Sequence, residues 1–195
     1  MKEIGISKFK ISFAAFVLMM TQMCTPFVTP AHAFSSDCSN IASGSDLSGC
    51  DFSGQDLSWF DLSYSDLTGA NLTNADLSYS DLTETQLSFA TLVGVQSSGL
   101  NGSPNLPNDW WIINGYLIGP SANLGNADLS GADLSYMILT YVNFSGANLQ
   151  NSDLNNAVLS NADLSNADLS NADLSGAILI NTSISNTNFS GVTFT

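Results

Sequence analysis

The chain has 195 residues, a mass of 20.5 kDa, a formal net charge of −14 and a sequence pI of 4.1, which fits one domain with a tail. Its three cationic side chains (Lys2, Lys8, Lys10) and its single histidine, His32, all precede residue 34. Everything after them lacks an imidazole, an ammonium or a guanidinium, which excludes most acid–base catalysis and any basic nucleic-acid surface.

Residues 1–33 read as a secretory signal. Lys2, Lys8 and Lys10 precede an apolar run from Ile11 to Met20 that continues, less purely, to Val28, and Ala31-His32-Ala33 supplies a small-x-small cleavage site. Cleavage is expected after Ala33. The alternative is an uncleaved anchor, but Ser12, Gln22, Pro26 and Pro30 break the run below the roughly 20 apolar residues that a span needs. No stable membrane insertion is therefore expected after cleavage. Cys24 lacks the small residue expected just before a lipidated cysteine. The mature chain would hold sixteen acids and no Lys or Arg, with Cys38 and Cys50 in an oxidising compartment. Cys38 lies in an N-terminal cap over residues 34–44 and Cys50 in the regular region that follows. They form either a bridge that pins the cap or two separate buried thiols, and sequence cannot supply the geometry that decides.

From residue 45 to 92, and again from 122 to 195, a large apolar residue returns every five positions: Leu47, Phe52, Leu57 and onward to Leu92, then Leu124 onward to Phe194. That makes twenty-five centres, ten and fifteen. Two residues before each centre stands mostly Ala or Ser, one before mostly Asp or Asn, and one after mostly Ser or Thr. A period of five fits neither the helical 3.6 nor the extended 2, so the chain must turn in every repeat to keep the centres on one side. Four units close a coil of 20 residues, with centres and small residues inside and stacked coils at the sheet spacing of about 4.8 Å. Ala127-Asp128-Leu129-Ser130-Gly131 and Ala162-Asp163-Leu164-Ser165-Asn166 resemble the A-[DN]-L-x-x signature of pentapeptide-repeat proteins. The resemblance implies an all-β solenoid, a right-handed quadrilateral β-helix, and almost nothing about activity. It also adds the thylakoid lumen to the periplasm and the extracellular space as destinations.

Residues 93–121 interrupt the period. Gly99, Gly102, Pro104 and Pro107 mark a loop, and Trp110-Trp111-Ile112-Ile113 and Tyr116-Leu117-Ile118 flank Asn114-Gly115, a hairpin turn signal. A loop and a short hairpin or protruding coil is expected. A similar insert ending in Gly-Tyr-Leu-Ile-Gly-Pro occurs in other pentapeptide-repeat proteins, which implies that it belongs to the fold.

Residues 20 apart should stack. Asp46 then lies over Asp66, Asp56 over Asp76, Asp61 over Asp81, and Asp133 over Asp153 and Asp173, giving like-charge ladders that draw counterions. A solvated acidic face is favoured over calcium binding, because calcium wants six to eight converging oxygens. Ile138, Val158 and Ile178 occupy the Asp position on successive coils, with Tyr141 and Ile180 nearby. This outward apolar stripe calls for a partner or a covering element, and the Trp110–Ile118 hairpin is one candidate cover. Trp59 and Tyr79 should stack outward, as cross-coil packing in preference to a carbohydrate platform. The last coil shows no helix or charged segment over it, which predicts self-association through the C-terminal coil, as the resemblance also implies for some members.

Taken together, these residues describe a non-enzymatic, exported structural or protein-interaction module, without cofactor, catalytic residue or metal ligand, whose protein partner the sequence does not name. A DNA-mimicking inhibitor of an enzyme such as gyrase is the alternative by resemblance: a rod of about 30 Å opposes on the order of 18 duplex charges. Export argues against it. A calcium- or carbohydrate-binding surface protein is the remaining alternative.

Overall fold

The structure is a computed structural model, and it describes residues 38–194. The signal expected over residues 1–33, the first part of the cap and Thr195 lie outside the described residues.

The pentapeptide is the building unit. In the first coil the Cys50 N–H donates to the Leu47 carbonyl at 3.2 Å, closing a tight turn whose third residue, Gly49, has φ 66°. The same turn recurs at almost every repeat, and its third residue always lies in the left-handed region, as a type II turn requires. This explains why the position is so often Gly or Asn, the two residues that visit that region at least cost.

Between turns one residue runs extended and pairs with its counterpart one coil on. Asp46 pairs with Asp66, Asp51 with Asn71, Asp56 with Asp76 and Asp61 with Asp81, all parallel; Asn143 pairs with Asp163 and Asp153 with Asp173. Each rung has two backbone bonds, as where Leu47 N–H reaches the Asp66 carbonyl at 2.7 Å and Asp66 N–H the Ser45 carbonyl at 2.9 Å. The result is a right-handed quadrilateral β-helix.

The centres point inward. Leu47, Leu57, Leu62, Leu129, Leu149 and Leu164 are fully buried, and Ala70, Ala75, Ala157 and Ala172 pack between them. Where a hydroxyl takes the Ala place it finds a carbonyl: Ser80 Oγ donates to Leu77 and Thr85 Oγ1 to Leu62, both at 2.8 Å. Among the described residues no buried side-chain nitrogen or oxygen lacks a partner, so hydrogen bonds offset the desolvation of the polar groups inside the tube.

The insert differs from the expected loop. Asn101 pairs with Asp81 and Asn105 with Gln86, so the coil continues through the Gly- and Pro-rich stretch. Gly102 makes this approach feasible, since a Cβ there would lie 2.3 Å from the Thr83 backbone nitrogen. The hairpin is present as β1 (Trp111–Ile113) and β2 (Tyr116–Ile118), paired antiparallel with Trp111 opposite Ile118. Asn114 and Gly115, with φ 52° and 77°, form its turn. The hairpin is built into the seam between the blocks and does not stand apart from them. Leu117 and Ile118 are fully buried, and Leu100 N–H donates to the Gly115 carbonyl.

Trp110 packs against both core clusters. Its indole takes the space into which a side chain on Gly119 would point, 2.4 Å from an ideal Cβ. A partly buried tryptophan thus joins the two core clusters where the five-residue period fails.

Candidate functional site

The outer positions divide the surface into chemically distinct columns. In the acidic ones each carboxylate turns back onto its own repeat. Asp46 Oδ1 accepts from Ser48 N–H at 3.2 Å and Ser48 Oγ at 2.7 Å, and Asp61, Asp81, Asp133 and Asp173 do the same with the Ser or Thr two residues on. The hydroxyl first and the N–H second hold Asp46, Asp51, Asp81, Asp133, Asp163 and Asp173 below the ordinary carboxylate value. For Asp168 the first cause is the Gln150 side chain, whose amide donates to Oδ2. Each of these carboxylates is thus fastened to the turn beside it. Among the described residues no three His, Cys, Asp or Glu side chains converge on a point where a metal ion could sit.

In the second block three columns carry Asp, and the fourth is Ile138–Val158–Ile178. Ile138 and Ile178 are 39% and 43% exposed, Val158 is half-buried, and Tyr141 and Ile180 stand exposed beside them. The hairpin does not cover this stripe. Its Trp110, Ile113 and Tyr116 pack, partly buried, against the interior cluster of the second block at the register break instead.

Trp59 and Tyr79 stack with ring centroids 4.4 Å apart and planes 13° from parallel. The other side of the Tyr79 ring faces Gly99, where a Cβ would come within 2.6 Å of it. Tyr79 is therefore held between a ring and a backbone. Cys38 and Cys50 form a disulfide. At the C-terminal coil Ile184 and Phe194 are 52% and 58% exposed, and Phe189 touches Phe194.

A feature that the periodicity did not disclose lies at the seam. The column Asp56–Asp76–Gln96–Asn123–Asn143–Asp163–Ser183 is paired rung to rung across it, the only column among the described residues that is. Its three middle rungs are uncharged, and beside them runs a groove of about 500 Å³ lined by Ser78, Tyr79, Gln96, Asn123, Asn143 and Tyr116, with Gly125 on its floor. The signal that could have found it was the neutral sequence Gln96, Asn123, Asn143, but it is legible only when Gln96 is known to face Asn123 across seven extra residues.

Comparison with protein families matches pentapeptide repeats in 8 copies over residues 56–92, 121–156 and 157–195, more than half of the chain. The chain belongs to the pentapeptide-repeat family. Among solved structures it is similar to alr5209, a pentapeptide repeat protein from Nostoc PCC 7120, with 42% identity over 36% of this chain and 59% of that one, TM-score 0.36. The match thus spans less than two thirds of that protein. HetL, a pentapeptide repeat protein involved in heterocyst differentiation regulation from Nostoc sp. strain PCC 7120, matches at 28% identity over 77% of this chain and 74% of that one, TM-score 0.31. A pentapeptide repeat protein from the Arabidopsis thaliana thylakoid lumen matches at 25% identity over 78% and 66%, TM-score 0.26. No curated protein matches the chain.

Proposed function

We propose that this pentapeptide-repeat chain is an exported, non-enzymatic interaction module, an acidic rod that presents one uncharged apolar face to a protein partner. The observation that carries the reading is the Ile138–Val158–Ile178 column, whose two isoleucines stay open to solvent between an acidic column, Asp133–Asp153–Asp173, and the polar column Asn143–Asp163–Ser183. Apolar surface left exposed on an otherwise charged molecule marks an interaction site. The non-enzymatic part rests on chemistry: the described residues include no His, Lys or Arg, and their carboxylates lie on regular outer rungs held by serine and threonine. Export rests on the three-part pattern of residues 1–33, and the Cys38–Cys50 bridge supports an oxidising compartment, whether periplasm, thylakoid lumen or extracellular space.

A DNA mimic fits less well, since the apolar column and the neutral seam groove interrupt the charge that a duplex carries on every side. Contact between two copies through Ile184 and Phe194 of the C-terminal coil belongs to the same reading, and a monomeric mass in light scattering at micromolar concentration would remove it.

The test is affinity capture from envelope and lumenal fractions with the mature protein and with the variant Ile138→Asp, Val158→Asp, Ile178→Asp. All three positions face outward, so the variant should keep its thermal midpoint within a few degrees and lose the partner. Undiminished capture by the folded variant removes the stripe from the mechanism.

A further inference from the structure

The seam groove combines an uncharged polar lining with two aromatic walls. Its lining holds no charged side chain, although acids flank it in the same column at Asp76 and Asp163. It offers amides and hydroxyls instead. Asn143 Nδ2 donates to Asn123 Oδ1 at 2.9 Å, and Asn143 Oδ1 takes Ser145 N–H and Oγ at 2.9 and 2.7 Å, which fixes the orientation of both amides. The Gln96 side chain is exposed and forms no hydrogen bond within the described chain. Tyr79 and Tyr116 bring aromatic rings to the walls, and both are anchored. Tyr79 lies between Trp59 and Gly99, and the Tyr116 hydroxyl accepts the Asp128 N–H at 3.2 Å.

The space exists because side chains are missing. Gly125 occupies the place where most repeats carry Ser or Thr, and its φ lies outside the left-handed region, so the turn there does not require glycine. A Cβ at Gly125 would sit 3.4 Å from Asn143 Nδ2, 3.5 Å from Asn123 Oδ1 and 3.6 Å from Ser145 Oγ, all ordinary contacts. Fold alone would have accepted Ser at this position; glycine leaves the floor open.

We propose that this groove is a binding site for a short neutral oligosaccharide. Amides and hydroxyls that can both donate and accept match sugar hydroxyls. The rung spacing of about 4.8 Å is close to the length of one pyranose residue, so successive rungs meet successive sugars. The volume lies within the range of small-ligand sites. An anionic ligand finds no cation to pair with and meets repulsion from Asp76 and Asp163. An extended peptide finds no free backbone, because Asn123 and Asn143 N–H groups already donate to the Val95 and Ala122 carbonyls. The proposal is independent of the apolar column, which lies on a different face.

The test uses the mature protein labelled with ¹⁵N and titrated with maltotriose, cellotriose and, as the charged comparator, trigalacturonate. Expected are shifts confined to Gln96, Asn123, Gly125 and Asn143 with one neutral trisaccharide, none with trigalacturonate, and a loss of affinity of about tenfold or more in Gly125→Leu, which fills the floor. Gly125→Ser restores the residue common at this place in the repeat, keeps the fold and should bind at an intermediate level. The proposal is overturned if neither neutral sugar shifts these residues at millimolar concentration, if trigalacturonate binds as well as they do, or if Gly125→Leu, still folded by circular dichroism, binds undiminished.

Discussion

The two blocks run the same coil with different corners. In the second, the left-handed corner residues are mostly Asn: Asn126, Asn151, Asn156, Asn161, Asn166, Asn171, Asn181 and Asn186, with amides of Asn181 and Asn186 donating to Asn161 and Asn166 one coil away. The first has a single Asn there, Asn74, and holds Trp59, Tyr64, Tyr79 and Phe89, four bulky corners against two in the second, Tyr136 and Tyr141, all with φ near 60° and all exposed. A bulky residue in that region costs about 1–2 kcal/mol. The first block also carries the disulfide. The second block is thus built mainly by repetition, each amide and turn supporting the next, whereas the shorter first block bears more strain at its corners and gains a covalent tie at its start.

The largest expected effect separates the blocks through that tie. The Cys38–Cys50 bridge closes a ring with a sequence separation of 12, for which removal costs about 3 kcal/mol. Coils of a solenoid lean only on their neighbours. Cys38→Ala with Cys50→Ala should therefore speed hydrogen exchange at Leu47, Phe52 and Asp66 and leave Leu149, Leu154 and Asp168 unchanged. Equal acceleration in both blocks would mean that they melt as one unit and that the contrast drawn between them has no energetic content.

Corner chemistry gives a smaller effect of opposite sign in the two blocks. Tyr64 is 66% exposed with φ 59°, so little packing is lost when it is replaced. Tyr64→Asn should stabilise by about 1 kcal/mol, and Asn166→Tyr, which also removes the acceptor for Asn186, should destabilise by about the same amount. Thermal melts of the two variants decide. If Tyr64→Asn destabilises, the ring makes a contribution that its exposure hides.

How much of this was legible depends on the range of each interaction. The period of five placed Leu47, Leu129 and their like inside and Asp46 over Asp66, because a repeat repeats its environment. The Trp59–Tyr79 stack followed from the same arithmetic. The period could not foresee the seam, where Gln86 faces Asn105 one residue early and Gln96 faces Asn123 seven late. With the register unknown there, the Trp110–Ile118 hairpin stood only as one candidate cover for the stripe, whereas Trp110 packs against both core clusters, and nothing in the period aligned Gln96 with Asn123 and Asn143. The fastening of each Asp to the Ser or Thr two residues on is local and legible in Asp-x-Ser, a turn signal in its own right.

That fastening sets the smallest effect, and it has two opposing parts. Protonating a ladder removes repulsion between stacked carboxylates, which would favour the fold in acid. It also weakens the acceptors that hold Ser48, Thr83, Ser135 and Ser175, which disfavours it. Because Asp46, Asp81, Asp133 and Asp173 are held below the ordinary 3.8 by those hydroxyls and N–H groups, the second part is the larger. A carboxyl with a lowered folded value binds its proton more readily when unfolded. Its contribution is complete above the unfolded value and disappears as pH falls below 3.8 through the folded one. Both blocks contain such groups, so the thermal midpoint should be flat from pH 7 to about 5 and fall modestly below 4. A rise in the midpoint on acidification would mean that repulsion between rungs outweighs the turns. The variant Ser135→Ala with Ser175→Ala, which removes two of the hydroxyls without altering the charge, should then flatten the acid limb in the second block and leave the first unchanged.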